Sequence, residues 1–371
     1  MCWNASRNEL REGMDIRTLI SAGLFASFLA APSASAAIIG VVAPKSGPYA
    51  LLGAQIYQGA RAAAEANGDT LVELDESCDE NGGLAVSKSL TDAKASAAIG
   101  FLCVETLTTA LPALKAAAIP AVSVSVRSKI LMEDALRNGW PFFRLAPTET
   151  AEADAVASAI LSRWKAEPIA FIDDGTIYGR ELSSAVRQKL EPSGIRPAFT
   201  DVFRPGQEQQ IALVRRLSKA GATHVFIGGD RNDTAIIVRD AAAERISLTV
   251  MGGDALRAAN RPVGLANGVL AAALPDYAVA PEASTAVTQL RAGNVEPEGY
   301  VLPAYAATEL VHRAVTETSN GRSLTDTLAA GSFTTAIGPV AFGPDHELKQ
   351  NPFRLVEWQG TDFVEIGPAT D

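Results

Sequence analysis

IIGVVAPKSGPYALLGAQIYQG, residues 38–59, is the stretch whose reading decides the fold. Five of its first six residues are apolar, which suits a strand covered on both faces. Ser46-Gly47-Pro48 breaks the chain at the carboxyl end of that strand, and a helix is expected over 51–67. In open parallel sheets, ligands bind at that end of the strands. The same strand-then-helix unit recurs outward from here. Strands are expected at 70–75, 96–102, 119–125, 168–173, 196–203, 223–228, 248–252 and 268–274. Helices are expected at 84–94, 106–117, 151–165, 177–190, 207–220 and 231–244. Strands separated by helices imply parallel sheets with right-handed crossovers. In 207–220, Ile211, Val214 and Leu217 share one helical face, which makes that stripe core.

The series divides near 138–150. Asn138-Gly139-Trp140-Pro141 is a turn cluster, Phe142 to Leu145 is a short extended piece, and Thr150 is placed to cap the next helix. A second alternating series runs from Ile169 to about Ala273. The pattern then changes to helices at 281–291, 300–319 and 323–330, with strand-like ends at 339–342, 353–358 and 363–366. There is no low-complexity linker and no short-period repeat. The fold class is α/β, and the two similar halves read as two lobes of one fold.

Composition narrows the function. The chain has 371 residues, enough for about two domains with substantial cores. A net charge of −10 argues against nucleic acid as a partner. Residues 1–36 read as a signal peptide: Met14-Asp15-Ile16-Arg17, an apolar run from Leu19 to Ala31, then Ala34-Ser35-Ala36. Cleavage is expected after Ala36, export to the periplasm follows, and Met14 fits a start better than Met1. A membrane anchor is the rival reading, but the run is too short to span comfortably. Export leaves Cys78 and Cys103, which invite one disulfide, with two buried thiols as the alternative. The three histidines, His224, His312 and His346, are far apart in sequence and there is no CxxC. No GxGxxG, Walker A, GxSxG or HExxH is present. Asp75-Glu76 and Asp173-Asp174 read as strand-end loops before metal carboxylates. No catalytic residue, metal or cofactor is expected.

A resemblance covers nearly the whole chain after the signal. VVAPKSGPYALLGAQIYQGARAA (41–63), LVELDESCDENGGLAV (71–86), IGFLCVETLT (99–108), IPAVSVS (119–125), IAFIDDGTIYGREL (169–182), HVFIGGDRND (224–233), TVMGGD (249–254) and GYVLPAYAATEL (299–310) occur in a telling order and spacing. Together they resemble the leucine/isoleucine/valine-type, or type I, periplasmic solute-binding proteins of ABC importers. The resemblance implies two lobes, each a mainly parallel sheet flanked by helices, joined by three hinge crossovers near 144–150, 273–278 and 350–353. The N-terminal lobe would comprise 37–146 and 276–350, and the C-terminal lobe 147–275 and 351–371. It places Cys78 and Cys103 where some members form a disulfide. It implies an amino acid or amino-acid-like ligand, a membrane permease with ATPase subunits as partners, and a working monomer.

The resemblance also implies a ligand set: Glu105, Thr106, Ser125, Arg127, Tyr178, Asp230, Asp254 and Tyr300. Asp254 stands where relatives meet the ligand's ammonium. Val104 replaces a small hydroxyl residue that helps hold the carboxylate, Arg127 a threonine, and Leu52 an aromatic. Arg127 is suited to hold a carboxylate in bidentate fashion. The competing readings are structural. Glu105 and Arg127 would pair at the rim, Asp230 and Asp254 would cap helices, and Tyr178 and Tyr300 would merely pack. A ligand sensor for a membrane signalling receptor, and a secreted α/β hydrolase, are the alternative functions.

Overall fold

A computed structural model describes residues 36–318 and 321–367. All of the signal segment except Ala36 lies outside the described residues.

The first sheet holds β1 (Ile38–Ala43), β2 (Thr70–Asp75), β3 (Ala97–Gly100), β4 (Ala121–Ser123) and β5 (Phe142–Arg144). All are parallel, in the order β2-β1-β3-β4-β5. The connections are α1 (Ala50–Asn67), α2 (Glu80–Asp92), α3 (Val104–Ala116) and α4 (Lys129–Asn138). The alternation along β1 sorts its side chains to two cores. Ile39, Val41 and Ala43 join Ile56, Phe143 and Leu310, whereas Val42 joins Leu90, Leu107 and Leu111.

After α5 (Ala151–Arg163) a second sheet follows. It holds β6 (Ile169–Asp173), β7 (Phe199–Val202), β8 (His224–Gly228), β9 (Thr249–Gly252) and β10 (Leu270–Ala273), linked in part by α6 (Ile177–Leu190), α7 (Ile211–Lys219) and α8 (Arg231–Ala243). The chain then forms α9 (Ser284–Ala292), α10 (Val301–Glu317), α11 (Leu324–Ala330) and the hairpin β11 (Ser332–Thr335) and β12 (Gly338–Ala341). Residues of α10 and of the hairpin are buried in the core of the first sheet. Finally β13 (Arg354–Gln359) and β14 (Asp362–Glu365) return to the second sheet as antiparallel strands, giving the order β14-β13-β10-β9-β8-β6-β7. The chain therefore passes between sheets three times: from Arg144 to Ala151, from Ala273 to Ser284, and from Ala341 to Arg354. Among the described residues no helix is long and apolar enough to cross a membrane.

Several elements differ from the sequence reading; α2, for one, begins at Glu80 rather than 84. The helix expected from 207 begins at Ile211, because Asp233 and Asp240 take the amides of Gly206 and Gln210, at 2.9 and 2.6 Å. Helix α4 was not expected, although both of its ends are written in the sequence. Ser128 Oγ accepts from the amide of Leu131, and Gly139 closes the helix at φ 61°. The hairpin partner β11 was also not expected. Its Phe333 is buried in the first core.

Candidate functional site

The carboxyl ends of the strands deliver the polar side chains. Loops after β4, β5, β9 and β10 surround a cavity of about 770 Å³, lined from the first sheet by Val124, Arg127 and Leu145 and from the second by Asp254, Arg257 and Leu274. Tyr277 and Tyr300 also line it, as do the charged Asp276, Arg291, Glu296 and Glu298. Residues from both sheets thus meet in one cleft, as the strand-end rule anticipates.

On the second-sheet side a carboxylate joins two of the expected residues. Tyr178 Oη donates to Glu152 Oε1 at 2.6 Å, and the backbone amide of Asp254 donates to the same oxygen at 2.7 Å. Asp254 Oδ1 accepts from the amide of Leu274 at 2.9 Å, which fixes the carboxylate against the second crossing. Burial raises the Glu152 carboxyl above its usual range, with the donors Tyr178 and Asp254 N and the nearby Arg127 acting the other way. Two close approaches hold this group in place. Gly179 seats the first turn of α6 on β8, where a Cβ would lie 2.3 Å from the carbonyl oxygen of Gly228. At Gly253 a Cβ would lie 2.2 Å from Glu152 Oε1 and 2.5 Å from Tyr178 Oη. Any larger residue there would push the three groups apart.

On the first-sheet side Ser125 Oγ and Tyr300 Oη share a hydrogen bond of 2.9 Å. Arg127 is exposed into the cavity and, among the described residues, forms no ion pair with Glu105 or any other acid. The remaining expected residues lie elsewhere. Asp230 is exposed and caps α8 by accepting from the amide of Asp233 at 2.8 Å. Glu105 is exposed on the first turn of α3, while Thr106 beside it is fully buried and its hydroxyl has no partner in the protein. None of these three lines the cavity, and Ser125 and Tyr178 do not line it either: Ser125 stands behind its wall through the bond to Tyr300, and Tyr178 is linked to Asp254 through Glu152. Glu152, which bonds both Tyr178 and Asp254, is absent from the sequence reading. Its only local signal is that of an acid in the first turn of a helix, which the helix dipole favours anywhere.

Cys78 and Cys103 are disulfide-bonded, with their Cα atoms 5.2 Å apart. Glu76 lies beside them, but the bond leaves no thiolate to hold a metal ion. The carboxylate of Glu76 instead accepts from the amides of Leu102 and Cys103, at 2.8 and 3.1 Å, and so anchors the loop that leads into α3.

Comparison with known proteins agrees with this architecture. The Leu/Ile/Val-binding protein BraC3 of Rhizobium johnstonii is 27% identical over 376 residues, spanning 95% of this chain and 99% of that protein. The leucine-specific-binding protein of Salmonella typhimurium is 27% identical over 86% of this chain and 90% of its own. Among solved structures, a putative branched-chain amino acid ABC transporter from Rhodospirillum rubrum superposes with a TM-score of 0.73 at 16% identity, covering 89% of this chain and 100% of that one. The periplasmic binding protein family profile matches residues 38–362, and the chain belongs to that family.

Proposed function

We propose that the protein is the extracytoplasmic solute-binding component of an ABC importer. It captures an amino acid or a close analogue in the interlobe cleft and closes on it by hinge motion. One observation carries this reading. Arg127, without an ion-pair partner among the described residues, shares a cavity with Asp254, which Glu152 ties to Tyr178. A guanidinium and a carboxylate across one cleft match the two charges of a zwitterion. Arg127 holds the ligand's carboxylate, while Asp254, its backbone held by Glu152, takes the ammonium. Tyr178, Tyr300 and Ser125 shape the rest of the site. Glu105, Thr106 and Asp230 stand outside this set. The names of the relatives, Leu/Ile/Val-binding and leucine-specific-binding proteins, support an amino acid as the ligand.

In this reading residues 1–36 are removed on export to the periplasm. Residues 37–146 with 276–350 form one lobe, and 147–275 with 351–371 form the other. The loaded protein delivers its ligand, as a monomer, to a permease with ATPase subunits. A thermal-shift screen of protein stripped of co-purified ligand, against amino acids and related small carboxylates and amides, tests it. A true ligand at a hundred times its Kd stabilises the native state by about 2.7 kcal/mol. Silence across the whole panel would overturn the proposal.

A further inference from the structure

Behind the cleft loop sits a buried ion pair that the ligand set does not use. Arg144, the last residue of β5, is 1% exposed. Its Nε donates to Glu347 Oε2 at 2.8 Å, and its Nη2 donates to Glu347 Oε1. Its Nη1 donates to the carbonyl oxygens of Val126 and Ser128, at 3.3 and 3.1 Å. Those two carbonyls flank Arg127. Glu347 is itself buried and lies in the third crossing, between β12 and β13. That segment is fastened to β5 beyond the ion pair. The amide of Arg144 donates to the carbonyl of His346 at 3.2 Å, and the His346 ring stacks on Phe143 with centroids 4.3 Å apart.

We propose that Arg144 and Glu347 are positioning residues: a charged clamp that sets the direction of Arg127 and links the cleft loop to two of the three interlobe crossings. The chemistry favours this arrangement. A guanidinium has five donors in a fixed plane, so one Arg144 can hold a carboxylate and two carbonyls at once. A lysine has a compact head that cannot span the same set. The carbonyl contacts fall on both sides of Arg127, so a shift of Arg144 rotates the backbone that carries it. Glu347 is the counter-charge that makes the buried guanidinium tolerable. Movement of the third crossing during closure would therefore be felt at Arg127, and ligand held by Arg127 would be felt at the crossing. The proposal rests on the reading of Arg127 as the ligand's carboxylate holder.

The test separates the clamp from that reading. Glu347→Gln and the milder Arg144→Lys are made in the full chain, with Glu347→Asp as the charge-retaining control. The first arm needs no ligand. Hydrogen exchange over residues 124–131 is expected to quicken at least tenfold in Glu347→Gln and Arg144→Lys, and less in Glu347→Asp, while exchange in the second-sheet strands stays at the wild-type rate. Unchanged exchange over 124–131, or an equal rise throughout the chain, would overturn the clamp. The second arm is a calorimetric titration with L-leucine as the probe. Glu347→Gln is expected to weaken binding about tenfold, and to have no further effect once Arg127→Ala is present. Fully additive losses would show a general structural role and overturn the positioning claim. A wild-type protein that does not bind L-leucine would count against leucine as the ligand and leave the exchange arm to decide the clamp.

Discussion

Asp254 is engaged at both its backbone and its side chain, so its substitution has to be chosen with care. Alanine would remove the acceptor for the Leu274 amide as well as the charge. Asp254→Asn keeps an acceptor and removes only the charge. It is expected to weaken an amino-bearing ligand by about 1.5–3 kcal/mol, the range of a charge-assisted hydrogen bond, or roughly ten- to a hundredfold in Kd. The melting temperature of the ligand-free protein should not move. Unchanged affinity in a titration would remove Asp254 from the site. Arg127 is the other residue to test, because it is exposed and lines the cavity. Arg127→Thr is expected to shift preference toward aliphatic amino acids, read as the ratio of Kd values across a panel. An unchanged ratio would show that Arg127 does not select the ligand.

At the level of elements, the loop between β3 and α3 is held by two devices. One is the disulfide, which joins cysteines 25 residues apart. In the chain-entropy picture, removing both thiols by Cys78→Ser with Cys103→Ser costs about 3.5 kcal/mol, to be read from urea unfolding. The other is Glu76, which is 2% exposed. Burial pushes its carboxyl from an ordinary 4.5 up to about 7, reinforced by the charges of Glu105 and Asp75 and opposed by the two amide donors. The folded chain therefore retains a proton that the unfolded chain has already lost. Stability from this group is full below the unfolded value and is lost as pH rises through the folded one. Its whole span is about 3 kcal/mol. Glu76→Gln is expected to flatten the fall in melting temperature between about pH 5 and pH 8. A slope equal to that of the native protein would assign the pH dependence to other groups.

For the whole molecule, the consequence of three crossings is that neither the core of the first sheet nor the second sheet is built from one continuous segment. The first depends on α10 and the β11–β12 hairpin, which arrive after β10, and the second depends on β13 and β14, which arrive last. In the proposed function each lobe, with its own cores, moves as a body and motion is concentrated in the crossings. Addition of a ligand that raises the melting temperature is expected to lower the radius of gyration in solution scattering. A bound protein with an unchanged radius would remove hinge closure from the mechanism.

The alternating architecture was legible in the sequence because its signals are local and repeated. The run 38–43, the helix 177–190 and the break at Ser46-Gly47-Pro48 each declare themselves within a few residues, and the β6 and β8 strands do the same through continuous apolar runs. Where the local signal is overridden by distant carboxylates, as at Gly206 and Gln210, the sequence reading placed the helix too early. The site was legible only in part. Arg127 and Asp254 come to the cavity because they follow strand ends, a position that the periodicity alone supplies, whereas Tyr300 comes from the start of α10. Glu152 reaches Asp254 from 102 residues away, and Arg144 reaches Glu347 across 203. No spacing rule covers such distances. Thr106 and Asp230 also follow strand ends, yet burial takes one and helix capping the other. The sequence by itself therefore determined most of the strands and helices and the strand ends that face the cavity, since burial patterns repeat at short range. Only the tertiary structure decided which charges face the cleft and which are clamped behind it, because a side chain's direction and partners are set by packing between segments that the chain keeps far apart.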